Sequence, residues 1–115
     1  MTPYHNFWHG FAVFQASYWA LCECTELKVL ELLDQFSLLI AALCHDMNHS
    51  GTNNSYHTEV GDDLAVTYND ASVLENMHAR LCFETEKKDD CKIFSGLSRD
   101  QRKRARSDII HMVGR

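Results

Sequence analysis

Histidine and aspartate residues occur at two places in this 115-residue sequence with spacings that suit metal coordination. In YHNFWHG, His5 and His9 stand four residues apart, and in HDMNHSG, His45 and His49 repeat that spacing with Asp46 adjoining. Residues four apart share one face of a helix, and imidazole and carboxylate groups are the usual ligands of zinc and related ions. Three such groups from two helices can fill three positions around one ion. Histidines four apart also commonly cap or pack a helix, so the spacing alone leaves both interpretations open.

The second of these motifs follows an apolar run. FSLLIAALC, residues 36–44, is apolar on all sides and predicts the buried end of a helix, from which His45 and Asp46 emerge. Burying a carboxylate without a partner is costly. A cation is therefore the partner that this position favours.

Four helices are predicted from apolar residues at helical spacing, over about residues 4–24, 27–44, 71–84 and 98–113. Ser98 is the predicted N-cap of the last helix, with Asp100 in its first turn. Residues 48–63 are rich in Asn, Ser and Gly and predict an ordered loop. No stretch alternates as a strand would, so the predicted class is all-α, a compact helical bundle.

The last predicted helix carries a basic face. It is either a patch for a polyanion or the solvated side of an amphipathic helix, and the second interpretation is favoured. Its members are Arg99, Arg102, Lys103, Arg104 and Arg106.

Composition narrows the class of protein further. A hydrophobic fraction of 45% favours a folded core, and a net charge of -5 gives no general reason to expect a nucleic acid partner. The five cysteines form no C-x-x-C pair, which favours reduced thiols and a cytoplasmic location. No apolar stretch is long enough to span a bilayer, and no stretch has the character of a signal peptide.

Three motifs carry a resemblance to a known family. YHNFWHG, HDMNHSGTNN and LAVTYNDASVLENMHA stand in the order and at the approximate spacing of class I 3′,5′-cyclic nucleotide phosphodiesterases, and the resemblance covers nearly the whole chain. It implies hydrolysis of cyclic AMP, cyclic GMP or both to 5′-nucleotides. It also implies that residues 1–115 are a partial phosphodiesterase catalytic domain, a helical bundle of the HD type that is incomplete at both ends and holds the metal-binding half.

The resemblance implies two divalent metal ions. His9, His45 and Asp46 look like ligands of a tightly held zinc ion, with Asp46 also bridging to a second ion, magnesium or manganese. A hydroxide between the two ions would be the nucleophile, since metal coordination lowers the pKa of water to about 7. Two cations would also neutralise the anionic cyclic phosphodiester.

The resemblance implies roles for further residues. His5 resembles the general acid that protonates the departing 3′ oxygen, and Glu75 would orient its ring. His49 looks like a group near the bridging water, and His78 like a contact on the phosphate side.

Two positions complete the implied substrate pocket and two others depart from the family pattern. Tyr4 and Asn54 look like substrate-binding residues, although Asn54 is equally well an ordinary loop-capping residue. Asn48 stands where the family pattern H-D-x-[D/E]-H has an acid, which implies a looser hold on the second ion. Met77 replaces the first of two histidines that follow LEN in the family.

The family completes its first metal site and reads the purine with residues outside this sequence, so little hydrolysis by the 115 residues alone is expected.

Two other functions remain as alternatives to cyclic nucleotide hydrolysis. They are another HD-type metal-dependent nucleotide phosphohydrolase and a binding module without catalysis. The expected partner is a small cyclic nucleotide and no nucleic acid, and no membrane span is expected. A full-length protein has room for regulatory domains or for a homodimer interface.

Overall fold

The computed structural model describes residues 6–47, 49 and 51–114. Within these residues the chain forms α1 (Phe7–Glu23), a 3₁₀-helix (Thr25–Val29), α2 (Leu32–Cys44), α3 (Asn54–Val60), α4 (Asp63–Thr67), α5 (Val73–Glu86) and α6 (Arg99–Val113). No strand occurs in this described part of the chain, so the predicted all-α class is confirmed. None of its helices has both the length and the apolar character needed to cross a membrane.

The predicted helices are found, and the ends of two of them are set by capping side chains. Asn6 begins α1 because its side-chain oxygen accepts a hydrogen bond from the backbone N–H of His9, at 3.1 Å. Ser98 is the N-cap of α6, as predicted, and it forms a reciprocal capping box with Gln101. The two residues predicted to open the first helix, Tyr4 and His5, lie outside the described residues.

The prediction of a continuous second helix from Leu27 is wrong at its start. A 3₁₀-helix occupies Thr25–Val29, and α2 begins only at Leu32. Arg104 of α6 donates to Glu31 Oε2 at 3.1 Å and to Asp34 Oδ1 at 2.5 Å, at the first turn of α2. Because these contacts come from a residue some 70 positions away, the apolar spacing around Leu27 gave no sign of where α2 begins.

The prediction of a loop over residues 48–63 is also wrong in part, since this stretch contains α3 and the start of α4. Its polar residues act as helix N-caps: Asn53 accepts a hydrogen bond from the Tyr56 N–H, and Asp62 accepts one from the Ala65 N–H. Gly61, with φ of +67°, makes the left-handed turn between the two helices. The same residue types favour loops and caps, so composition alone did not separate the two.

The core lies where α2, α5 and α6 pack together. Its buried residues are Ala41, Ala79, Cys82, Phe94, Ile109 and Val113. The five basic residues of α6 are exposed, which supports their interpretation as the solvated part of an amphipathic helix. Packing of α6 and α1 against α2 fixes the end of α2, where the HDMNH motif begins.

Candidate metal centre

The site forms where the first turns of α1 meet the C-terminal end of α2. Gly10 is buried at this meeting point, and a Cβ atom there would stand only 3.3 Å from the carbonyl oxygen of Leu43. A larger residue would push the two helices apart. The glycine therefore allows His9 to approach His45, whose ring centroid lies 5.2 Å from its own.

Asp46 is the shared member of two clusters of potential ligands. Its Oδ2 atom lies 3.0 Å from His45 Nε2 and 3.2 Å from His9 Nε2, and its Oδ1 atom lies 3.8 Å from His78 Nε2. In each cluster, His9–His45–Asp46 and Asp46–His49–His78, the ligand atoms lie within 4.8 Å of one another. The structure thus brings together the three residues predicted to bind the first ion, and it places the Asp46 carboxylate between both clusters.

Backbone carbonyls fix the proton position on two of the imidazoles. His45 Nδ1 is 2.7 Å from the carbonyl oxygen of Ala42, and His78 Nδ1 is 2.6 Å from that of Met47. A carbonyl only accepts, so Nδ1 of each ring carries the proton and a neutral ring presents its Nε2 lone pair to Asp46. Lone pairs that face a carboxylate repel it unless a metal ion or a second ring proton lies between them. This arrangement, in which the other ring nitrogen donates to a carbonyl, is typical of histidines that bind metals.

His78 is almost fully buried, with 2% of its surface exposed. Burial is the main cause that lowers its pKa from the ordinary value, and it outweighs the opposite effects of the hydrogen bond to Met47 and of the charges of Asp46 and Glu75. The ring is therefore neutral at pH 7. A neutral imidazole is the form that binds a cation or accepts a proton.

His49 is held in the opposite tautomer. Its Nδ1 accepts a hydrogen bond from the backbone N–H of Gly51, at 2.9 Å, so in the neutral ring the proton sits on Nε2. The ring stacks on His78 with centroids 5.6 Å apart. Distance alone would allow His49 to be a ligand, but this hydrogen bond makes it a donor, suited to an anionic oxygen.

Glu75 and Asn54 are joined to each other at the start of α5. Asn54 donates from Nδ2 to Glu75 Oε2, and its Oδ1 accepts from the backbone N–H of Leu74, both at 2.9 Å. The amide of Asn54 is thus engaged within the protein, and substrate binding by this residue stays a prediction. Contacts of Glu75 with His5, and any role of Tyr4, lie outside the described residues.

A cavity of about 340 Å³ adjoins these groups. Its lining includes His45, Asp46, His49, Glu75 and His78. Anion-binding donors and potential cation ligands therefore face one space, which is of a size suited to a small molecule.

One buried polar residue escaped the sequence analysis. His57 of α3 is 5% exposed, and both of its ring nitrogens have partners, Asp62 and Thr52. Each partner is five residues away from His57, which is not a helical spacing. The sequence therefore gave little sign of either contact.

The fold and the site thus define an all-α protein with a candidate centre for two metal ions, built from histidine and aspartate. Comparison with known proteins gives its family. Residues 4–114 match the model of the 3′5′-cyclic nucleotide phosphodiesterase family. The chain belongs to this family.

Individual relatives agree with the family match. The chain is 42% identical to 3′,5′-cyclic-nucleotide phosphodiesterase regA of Dictyostelium discoideum, over 96% of this chain and 14% of that protein. It is 40% identical to the dual specificity calcium/calmodulin-dependent 3′,5′-cyclic nucleotide phosphodiesterase 1 of Drosophila melanogaster, over 97% of this chain and 13% of that protein. The phosphodiesterase domain of Salpingoeca rosetta rhodopsin phosphodiesterase superposes with a TM-score of 0.93 at 35% identity, over 98% of this chain and 34% of that one. The chain therefore spans a minor part of the proteins it matches.

The lowered pKa of His78 predicts how the metal-free protein responds to pH. The unfolded chain binds a proton at His78 near the ordinary pKa of 6.5 while the folded one binds it only at lower pH, so stability is full above that value and declines as pH falls below it. One such group changes the unfolding free energy by at most about 1.4 kcal/mol per pH unit. Urea denaturation in EDTA between pH 7 and pH 5 measures this slope.

The control for the pH dependence is His78→Asn, which keeps a donor for the Met47 carbonyl but does not titrate. The slope should become shallower in this variant and remain unchanged in His111→Asn, which alters an exposed residue of α6. An equal slope in all three proteins would show that burial of His78 does not control the pH response.

Proposed function

We propose that this chain provides the metal-binding part of a 3′,5′-cyclic nucleotide phosphodiesterase that hydrolyses cyclic AMP, cyclic GMP or both to 5′-nucleotides. The observation that carries the proposal is the Asp46 carboxylate, shared by two histidine clusters, in each of which one imidazole, His45 or His78, is fixed by a backbone carbonyl. The family match over residues 4–114 supports the same reaction. The name of the Drosophila melanogaster relative specifies dual specificity, and the name of a human relative specifies cyclic GMP. The family therefore supports both substrates.

The donor set of the first cluster fits zinc, and a second ion, magnesium or manganese, would take Asp46 Oδ1 as its protein ligand with water supplying most of the other oxygens. His9 and His45 with Asp46 Oδ2 would hold the first ion, and Asp46 Oδ1 would face the second. When bound, such ions neutralise the charge of the phosphodiester and lower the pKa of water so that it can attack phosphorus. The mixed nitrogen and oxygen ligands of the first cluster are typical of zinc, whereas magnesium prefers oxygen ligands.

The remaining groups would bind the substrate and move protons. His49 would donate its Nε2 proton to an anionic oxygen, because its Nδ1 already accepts from Gly51. His5 would give a proton to the departing 3′ oxygen, with Glu75 as the carboxylate that orients the imidazole. Glu75 is suited to this role because Asn54 binds one of its oxygens and so fixes the carboxylate beside the cavity.

A cytoplasmic location belongs to this proposal and is supported by the thiols of the described structure, all of which are free. The relatives are several times longer than the matched region, and the extra length has room for regulatory domains.

The decisive experiment is metal analysis of His45→Ala. The unchanged chain, loaded with zinc and passed over a chelating resin, should retain zinc, and His45→Ala should lose most of it because one of three ligands is gone. His111→Ala, on the exposed side of α6, is the matched control and should retain the metal. Hydrolysis of cyclic AMP and cyclic GMP is measured on the same samples, and any turnover should disappear with the metal.

Retention of zinc by His45→Ala would contradict the assignment of the metal site. Hydrolysis of other nucleotide phosphates in place of both cyclic nucleotides would instead favour another HD-type phosphohydrolase.

A further inference from the structure

His57 stands at the centre of a chain of three polar side chains. Its Nδ1 lies 2.5 Å from Asp62 Oδ2, and its Nε2 lies 2.9 Å from Thr52 Oγ1. The carboxylate accepts, so Nδ1 donates, and Nε2 shares a hydrogen bond with the hydroxyl of Thr52. The hydrogen bond from His57 is also the main cause that lowers the pKa of Asp62, which keeps this carboxyl ionised at neutral pH.

The order carboxylate, imidazole, hydroxyl is that of a catalytic triad, but its location argues against nucleophilic attack. Neither Thr52 nor His57 lines the cavity beside Asp46. Asp62 also caps α4 through its second oxygen, which accepts from the Ala65 N–H at 3.0 Å. These side chains therefore connect backbone segments and fix the position of Thr52.

Thr52 lies between Gly51 and the N-terminus of α3. After it, Asn53 caps α3, and Asn54 is bonded to Glu75 and to the start of α5. Before it, Gly51 has a φ of +90°, in the region that glycine enters freely, and its N–H donates to His49 Nδ1. Because Gly51 adjoins Thr52 in the backbone and a glycine turns easily, a shift of Thr52 can change the direction of the Gly51 amide.

We propose that His57 is a positioning residue that, through Thr52, fixes the Gly51 amide and so keeps the proton of His49 on Nε2. This tautomer is the one that can donate to an anionic oxygen in the candidate centre. The use of that donor in catalysis rests on the proposed function, whereas the link from His57 to His49 does not.

Two substitutions of His57 separate its two hydrogen bonds. In His57→Gln the side-chain amide lies near the place of Nε2 and can still bind Thr52, whereas in His57→Asn it lies near the place of Nδ1 and can bind only Asp62. Both variants lose the buried ring and should lose similar stability. Only His57→Asn should lose the hydrogen bond to Thr52.

The measurements are amide hydrogen exchange at Gly51 and imidazole ¹⁵N chemical shifts of His49, by NMR on the full 115-residue chain without metal. A hydrogen bond of ordinary strength corresponds to an exchange rate change of about five- to tenfold. We expect that change in His57→Asn, together with a mixed His49 tautomer. His57→Gln should stay within about twofold of the unchanged chain, since it keeps the Thr52 contact.

Thr52→Val keeps the shape of the side chain but removes the hydroxyl, so it tests the proposal even if the His57 variants fail to fold. It should reproduce the His57→Asn result. Thr67→Val removes an exposed hydroxyl that donates to the Asp63 carbonyl and should change neither signal. Unchanged Gly51 exchange and an unchanged His49 tautomer in Thr52→Val would overturn the proposal. Because both signals are read without metal or substrate, failure of the proposed function would appear separately, as a chain that binds no zinc.

Discussion

Asp46→Asn should lower the affinity for zinc by at least about 100-fold, a larger loss than the 10- to 100-fold typical of groups that only support a ligand. The carboxylate faces both clusters, and no other acidic residue belongs to either within the described part of the chain. Asparagine keeps one neutral oxygen and removes the negative charge that compensates a divalent cation. Competition with a chromophoric chelator measures the affinity.

The same substitution should leave the metal-free protein at least as stable as before. The asparagine side chain keeps an oxygen near His45 Nε2 and His9 Nε2, which lie 3.0 Å and 3.2 Å from the Asp46 carboxylate, and its amide can donate to the Nε2 lone pair of a His45 ring that carries its proton on Nδ1. Asp89→Asn, in the exposed turn after α5, is the matched control and should alter neither affinity nor stability. Tight zinc binding by Asp46→Asn would exclude Asp46 as the shared ligand.

Ile109→Ala should destabilise the protein by about 2–5 kcal/mol. Ile109 lies on α6 with none of its surface exposed, in the core between α2, α5 and α6. Removing its methyl groups leaves a cavity that the surrounding helices cannot fill completely. The midpoint of urea denaturation measures the loss.

The neighbouring residue provides the control for the core. Ile110 is 39% exposed, and Ile110→Ala should cost less than about 1 kcal/mol. Equal losses in the two variants would mean that α6 does not pack through the face that contains Ile109.

Helical spacing and capping residues sufficed to predict much of the fold. The repeat of apolar residues located the four longer helices, and Ser98 marked the start of α6. Asn53 and Asp62 were interpreted as loop residues although each begins a short helix. Short helices bury little surface of their own, so their formation depends on side-chain contacts such as that of Asn54 with Glu75, 21 residues away.

The candidate metal centre, like the fold, could be predicted only in part from the sequence. The sequence by itself determined that His45 and Asp46 adjoin at the end of an apolar helix and that His9 lies near the start of another, because these relations follow from local spacing. Only the tertiary structure decided which ring nitrogens carry protons. The proton position of His78 is fixed by the carbonyl of Met47, 31 residues away, and that of His49 by the amide of Gly51. Thr52, which follows Gly51, is in turn bonded to His57. A proton position depends on the atoms that meet in space, and residue types along the chain do not specify which backbone groups will meet a given side chain.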